Sequence, residues 1–146
     1  MNRPIVPDAR LCIVRARAGE RVPGALAELL DPVDAATFHE YVLPAGTPVE
    51  LHGHDFDEYW WFTSGEPVVT LWTPGAGESE HRLGPGDLVA LVRGMAHTLR
   101  ADHDLVYFQF AGVRRPGARE GHLPLERLLK ESVVPEEAAF DRGQDA

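Results

Sequence analysis

His52, His54 and Glu58 stand close together in the stretch 46–65, Gly-Thr-Pro-Val-Glu-Leu-His-Gly-His-Asp-Phe-Asp-Glu-Tyr-Trp-Trp-Phe-Thr-Ser-Gly. Side chains two residues apart in an extended strand lie on one face, so His52 and His54 point the same way and can share a partner. Asp55-Phe56-Asp57 is short enough to be a bend, and the apolar run Tyr59-Trp60-Trp61-Phe62 reads as a returning strand. That course brings the Glu58 carboxylate back beside the imidazoles. Neutral imidazole together with carboxylate suits Zn, Fe, Mn or Ni, and an open coordination position makes such a site chemical as well as structural. A fourth donor is expected from elsewhere in the chain.

Residues 84–97, Gly-Pro-Gly-Asp-Leu-Val-Ala-Leu-Val-Arg-Gly-Met-Ala-His, supply a tight turn, an apolar strand, a second turn at Arg93-Gly94, and then His97. Together the two stretches resemble the cupin family. Its first motif, G-x5-H-x-H-x3-E-x6-G, is met by Gly46, His52, His54, Glu58 and Gly65. Its second, G-x5-P-x-G-x2-H-x3-N, is met by Gly86, Gly94 and His97, with Val92 in place of the usual proline and Ala101 in place of the usual asparagine. Those two departures fall on turn and frame positions and remove no ligand. The resemblance covers residues 46 to about 101. It implies an all-β fold, a double-stranded β-helix or jelly-roll barrel, in which His52, His54, Glu58 and His97 hold a divalent metal ion.

The elements that must position these residues are legible as short apolar runs. Phe38–Leu43, Val49–His54, Tyr59–Thr63, Val68–Thr73, Leu88–Val92 and Leu105–Phe110 are separated by Pro44-Ala-Gly, Ser64-Gly-Glu-Pro, Pro74-Gly-Ala-Gly and Gly84-Pro-Gly-Asp. Strands at this spacing indicate a sandwich or barrel, and the absence of an internal repeat indicates one barrel. Residues 1–36 are expected to form an N-terminal arm and edge strand, with a strand near Leu11–Ala16 and one helical turn at Ala25–Leu30 ended by Asp31-Pro32. Residues 37–112 are expected to form the barrel core, and 113–146 a short C-terminal helix at Leu123–Lys130 followed by a mobile acidic tail from about Val134.

If Glu58 faces inward, alternation sends Trp60 and Phe62 inward with it and turns Tyr59 and Trp61 outward. Trp60 and Phe62 are then candidate pocket walls. Tyr107 and Gln109 alternate with Val106, Phe108 and Phe110, and offer the same cavity a hydroxyl and an amide. The outward Tyr59 and Trp61 form an apolar patch that suits a homodimer. His39, His81, His103 and His122 fall at strand ends or in polar stretches and read as solvated imidazoles, and Arg93 and Arg100 as groups near the barrel mouth.

The formal charge of -9 argues against nucleic acid as a partner, since phosphate binding needs a basic stripe and the arginines are dispersed. No apolar run approaches the roughly 20 residues of a membrane span, and the N-terminus lacks the apolar core of a signal peptide. Cys12 is the lone cysteine and reads as a buried structural thiol. These features set the expectation of a cytoplasmic protein with a small-molecule substrate and without nucleic-acid or membrane partners. With no arginine cluster near the motifs to suggest a phosphate ligand, the expected substrate is largely apolar or aromatic and chelates the metal through one or two oxygens. The resemblance implies an Fe(II)-dependent dioxygenase; the alternatives are a non-redox isomerase, lyase or cyclase using Zn, Mn or Ni, and a non-catalytic small-molecule-binding cupin. No side chain is assigned a catalytic role.

Overall fold

Ten strands and two short helices follow one another along the chain in the computed structural model, which describes residues 4–6 and 8–130. They are β1 (Ile13–Arg15), α1 (Gly24–Ala27), β2 (Val33–Leu43), β3 (His52–Gly53), β4 (Glu58–Ser64), β5 (Val68–Thr73), β6 (Gly77–Arg82), β7 (Asp87–Leu91), β8 (Ala96–Arg100), β9 (Leu105–Gly112), β10 (Leu123–Pro124) and α2 (Leu125–Leu128). One five-stranded sheet runs β1-β7-β4-β9-β2 and the other β10-β3-β8-β5-β6. All recorded pairings are antiparallel. Two facing antiparallel sheets with crossovers between them make the jelly-roll barrel that the motifs implied.

The core lies between the sheets. Phe62, Val69, Leu71, Val89, Leu91 and Leu105 are almost wholly buried, and each belongs to the inward set of its strand. Alternation is clearest in β5, where Val69, Leu71 and Thr73 are buried and their neighbours are half-covered. The barrel also draws on residues on either side of 37–112. β2 begins at Val33, β1 pairs with β7, and β10 pairs with β3. The N-terminal arm is packed down, since Val6 and Ala9 are buried in the core and Ala9–Cys12 form a 3-10 turn. The mobile tail expected from Val134 lies outside the described residues.

One expectation about a face and one about a strand change. Tyr59 does point away from Trp60, but it is 4% exposed because Phe110 stacks on it at 4.7 Å, so it offers no surface to a second copy. Trp61 is 42% exposed and packs beside Phe108. The strand expected over Val49–His54 contracts to His52–Gly53.

Candidate metal centre

The histidines converge because β3 and β8 are neighbours. His52 and His97 are direct cross-strand partners, and His54 follows two residues after His52, just past the end of β3. Their ring centroids are 4.6 Å (His52–His97), 5.2 Å (His52–His54) and 5.2 Å (His54–His97) apart. One ligand atom from each of the three lies within 4.8 Å of the others, and all three side chains are buried.

Glu58 arrives from the opposite sheet. The segment 54–58 does not fold back as a hairpin; it crosses the barrel, and β4 pairs with β7 and β9 and not with β3. The carboxylate therefore faces the imidazoles across the interior, with Oε1 3.7 Å from His54 Nε2 and Oε2 3.9 Å from His97 Nε2. Two donors each about 2.1 Å from one ion stand roughly 3–4 Å apart, so these separations suit a shared cation.

Hydrogen bonding identifies which ring nitrogens are available. The Nδ1 atom of His52 is 2.6 Å from the Glu50 carbonyl, which accepts an Nδ1–H and turns Nε2 inward. His97 is 1% exposed, yet neither of its ring nitrogens has a hydrogen-bond partner, and Nδ1 of His54 has none either. Buried polar atoms are nearly always satisfied, at a cost of about 1–3 kcal/mol each when they are not. A divalent cation bound through one nitrogen of each ring would give His97 Nε2, the atom that faces Glu58, the partner that hydrogen bonding does not. Burial also favours the neutral imidazole that ligates metals: it lowers His54 to about 3, opposed weakly by Asp55, and holds His97 well below its ordinary 6.5. Burial likewise pushes Glu58 up to about 7, against a hydrogen bond from the Trp60 indole that lowers it. A cation between the imidazoles and Glu58 would favour its ionised form.

Trp60, Tyr107 and Gln109 share the inner face with Glu58. Trp60 meets His97 edge-on at 5.1 Å and its Nε1–H donates to Gln109 Oε1 at 3.3 Å, while Tyr107 packs 6.1 Å from Trp60 and 5.5 Å from Phe62. Phe62 is wholly buried deeper in the barrel, one pair further along β4 from the histidines.

The loop between His54 and Glu58 is held by ion pairs that the motifs did not indicate. Asp57 accepts from the backbone N–H groups of Asp31 (2.8 Å) and Arg93 (2.9 Å) and from Arg93 Nη1 (3.1 Å). Asp31 in turn takes a two-pronged contact from Arg115 at 3.0 and 2.8 Å. Asp55 is held likewise by Arg119 at 2.7 and 2.8 Å. Arg93 is thus buried in this network and away from the mouth, and Arg100 pairs with Glu80 on the surface. Gly94, at φ +87°, makes the turn whose N–H donates to the His54 carbonyl at 3.1 Å, a conformation that a Cβ would strain.

His122 is the other departure. Expected in solvent, it stacks on His52 with centroids 4.1 Å apart and planes 21° from parallel. No spacing to either motif announces it. His39 and His81 remain outside the cluster, His39 against Tyr41 and His81 hydrogen-bonded to Ser79 at 2.8 Å.

No family model matches this chain, and no curated protein does. Among solved structures, a conserved protein of unknown function from Streptococcus pyogenes aligns with 17% identity over 51% of this chain and 61% of that one, at a TM-score of 0.45. The oxalate decarboxylase of Lactobacillus farciminis, solved as a formate complex, aligns with 20% identity over 52% of this chain and 24% of that one, at 0.45. A mutant salicylate 1,2-dioxygenase from Pseudoaminobacter salicylatoxidans aligns with 18% identity over 51% and 21%, at 0.44. The aligned part of this chain spans less than two thirds of each matched structure. Its own sheets and clustered histidines define a jelly roll with a three-histidine cluster suited to a metal ion. Among the described residues, no helix is long and apolar enough to cross a membrane.

Proposed function

We propose that this chain is a metal-dependent enzyme in which His52, His54, His97 and Glu58 hold a divalent ion, and that it acts as an Fe(II)-dependent dioxygenase on a small aromatic or apolar metabolite bearing chelating oxygens. The observation that carries the proposal is His97, a wholly buried imidazole whose two nitrogens lack hydrogen bonds while it faces two further histidines and a carboxylate. Ion pairs of Arg119 with Asp55 and of Arg93 with Asp57 hold the segment that carries His54 and Glu58.

A bound ion supplies Lewis acidity toward a substrate oxygen and, where it is iron, redox chemistry with dioxygen. The chain's own residues do the rest. The imidazoles are kept neutral by burial and so remain donors, and Glu58 contributes negative charge from the opposite sheet. Trp60 and Phe62 keep water from the interior, which strengthens every electrostatic contact there. In this proposal the Tyr107 hydroxyl and Gln109 amide orient the substrate, with Gln109 itself held by the Trp60 indole.

The test is elemental analysis of protein purified without added metal, followed by an oxygen-uptake screen against small aromatic acids and phenols. Iron content with oxygen consumption is the expected result. Turnover without oxygen, on Zn, Mn or Ni, would assign the site to an isomerase, lyase or cyclase. Metal-free protein that takes up no ion on addition of Fe, Mn, Ni or Zn would overturn the proposal. Replacing one donor gives a sharper check: His54→Ala should lose bound metal while keeping the fold, and undiminished metal content would remove His54 from the ligand set.

A further inference from the structure

The three ligand-type histidines are accompanied by a fourth, His122, which the C-terminal segment brings to the rim. Beyond β9 the chain could have left the barrel; it is tied down at several points instead. Arg115 is paired with Asp31, Arg119 with Asp55, and the Arg114 guanidinium sits 4.2 Å above the Phe56 ring, itself packed on His54 at 4.7 Å. The chain then pairs as β10 with β3, matching Pro124 to His52 and Leu123 to Gly53. At Gly53 the contact is so close that the Met95 carbonyl and the Leu128 side chain leave no room for a Cβ. His122 lies between the Arg119 anchor and β10, which fixes its place against the metal-type cluster.

The geometry separates two roles that this imidazole could play. Ring nitrogens bind a cation in the plane of the ring. Two rings stacked face to face, at 4.1 Å and 21°, cannot both contain one ion in their planes, so His122 cannot share an ion with His52 in this arrangement. It also stands outside the group of three whose ligand atoms converge. Unlike those three it is exposed, and with His52 and Glu50 it lines a cleft of about 380 Å³ that is otherwise walled by Leu43, Thr47, Pro48, Val49 and Pro124. A neutral imidazole carries one N–H, and the tautomer with that hydrogen on the nitrogen facing the cleft presents a donor to it.

We infer that His122 is a ligand-orienting residue: its ring N–H donates to an acidic oxygen, carboxylate or phenolate, of a small molecule entering beside His52. Its ring face covers the His52 imidazole from solvent, and its edge selects for a ligand with an oxyanion close to the cluster. Glu50 lies in the same cleft with like charge, so the outer part of the ligand is uncharged and packs on Leu43, Val49 and Pro124. This inference rests on the proposal that the three imidazoles and Glu58 hold a divalent ion, and it adds the residue that chooses what approaches that ion.

The test uses the full chain loaded with Zn(II) and 4-nitrocatechol as the probe, a chromophore with two adjacent acidic oxygens. Zinc content is measured first, then the probe is titrated by absorbance into wild type, His122→Phe and His122→Gln. Phenylalanine keeps a ring to stack on His52 but has no N–H; glutamine restores a donor. The expected result is equal zinc in all three proteins, probe binding about 10- to 100-fold weaker in H122F, as for loss of a hydrogen bond to a charged group, and partial recovery in H122Q. Equal probe affinity in wild type and H122F would overturn the inference, as would loss of zinc in H122F, which would make His122 a ligand. A wild-type protein that takes up no zinc would instead bring down the metal proposal, and the inference with it. H122Q is a second variant for the case in which H122F does not fold: equal zinc with a probe affinity within about threefold of wild type supports the donor role, and no measurable probe binding overturns it.

Discussion

Two groups of buried polar side chains lie side by side in this barrel and obey opposite rules. Asp57 is wholly buried and is met by two backbone N–H groups and the Arg93 guanidinium, while Asp31 beside it is gripped by Arg115. His97 is as deeply buried, and neither of its nitrogens has a hydrogen-bond partner among the described residues. A fold that only had to be stable would satisfy both groups in the same way, as buried polar atoms generally are. The contrast separates the part of the interior that positions from the part that receives. The first fixes the Asp55–Asp57 loop between two donor residues, and the second brings one ligand atom of each of three buried imidazoles within 4.8 Å of the others.

The strongest attempt to break this contrast is Asp57→Ala. It strips the buried Arg93 of a partner and leaves two backbone N–H groups unpaired, so the midpoint of urea unfolding should drop by the equivalent of about 3–5 kcal/mol. A loss under about 1 kcal/mol would mean that the network contributes no more than a surface pair. His97→Leu should behave in the opposite way. Without metal, removing an unsatisfied imidazole for an apolar group of similar volume should leave stability within about 1 kcal/mol of wild type or raise it. With metal at a hundred times its dissociation constant, wild type should gain about 2.7 kcal/mol and the variant much less, as read from thermal melts. A metal-independent drop as large as that of D57A would place His97 among the structural groups.

The smallest effect concerns Cys12, a buried polar atom that belongs to neither group. Its sulfur is 3.8 Å from Met95 Sδ, and burial, with a smaller contribution from Asp8, pushes its pKa from 9.0 up to about 12. The folded state thus keeps the thiol proton to higher pH than the unfolded chain. Its effect on stability is nil below about pH 9, and stability is lost as pH rises from there toward 12. At pH 8 a thiol reagent should label the native protein far more slowly than the protein in denaturant. Equal rates would show that the Cys12–Met95 packing opens readily.

The sequence pattern carried the site further than it carried its supports. Val68–Thr73 is a strand as expected because its alternation is clean, and Glu58, Trp60 and Phe62 face inward because the same alternation holds in β4. β6 escaped notice because Gly-Glu-Ser-Glu-His-Arg has no apolar face; it exists by pairing with β5 at the sheet edge. The hairpin expected between His54 and Tyr59 is a crossing between sheets, and a bend of three residues does not reveal which sheet the next strand will join. Asp57 finds Arg93 36 residues away, and Asp31 finds Arg115 84 residues away. No local period encodes such pairs, and each residue alone resembles solvated charge. His122 was hidden for the same reason, since it reaches His52 through the pairing of a two-residue strand.

The donors' division between layers gives a bound ion a mechanical part. Three of the four project from the β3–β8 side and one from β4, so no single layer owns the centre. An ion there would act as a removable rivet through the sandwich, clamping the end of the barrel that His122 overlooks. How tightly the two walls hold together at that end would then follow the free metal around the protein as well as its amino acids.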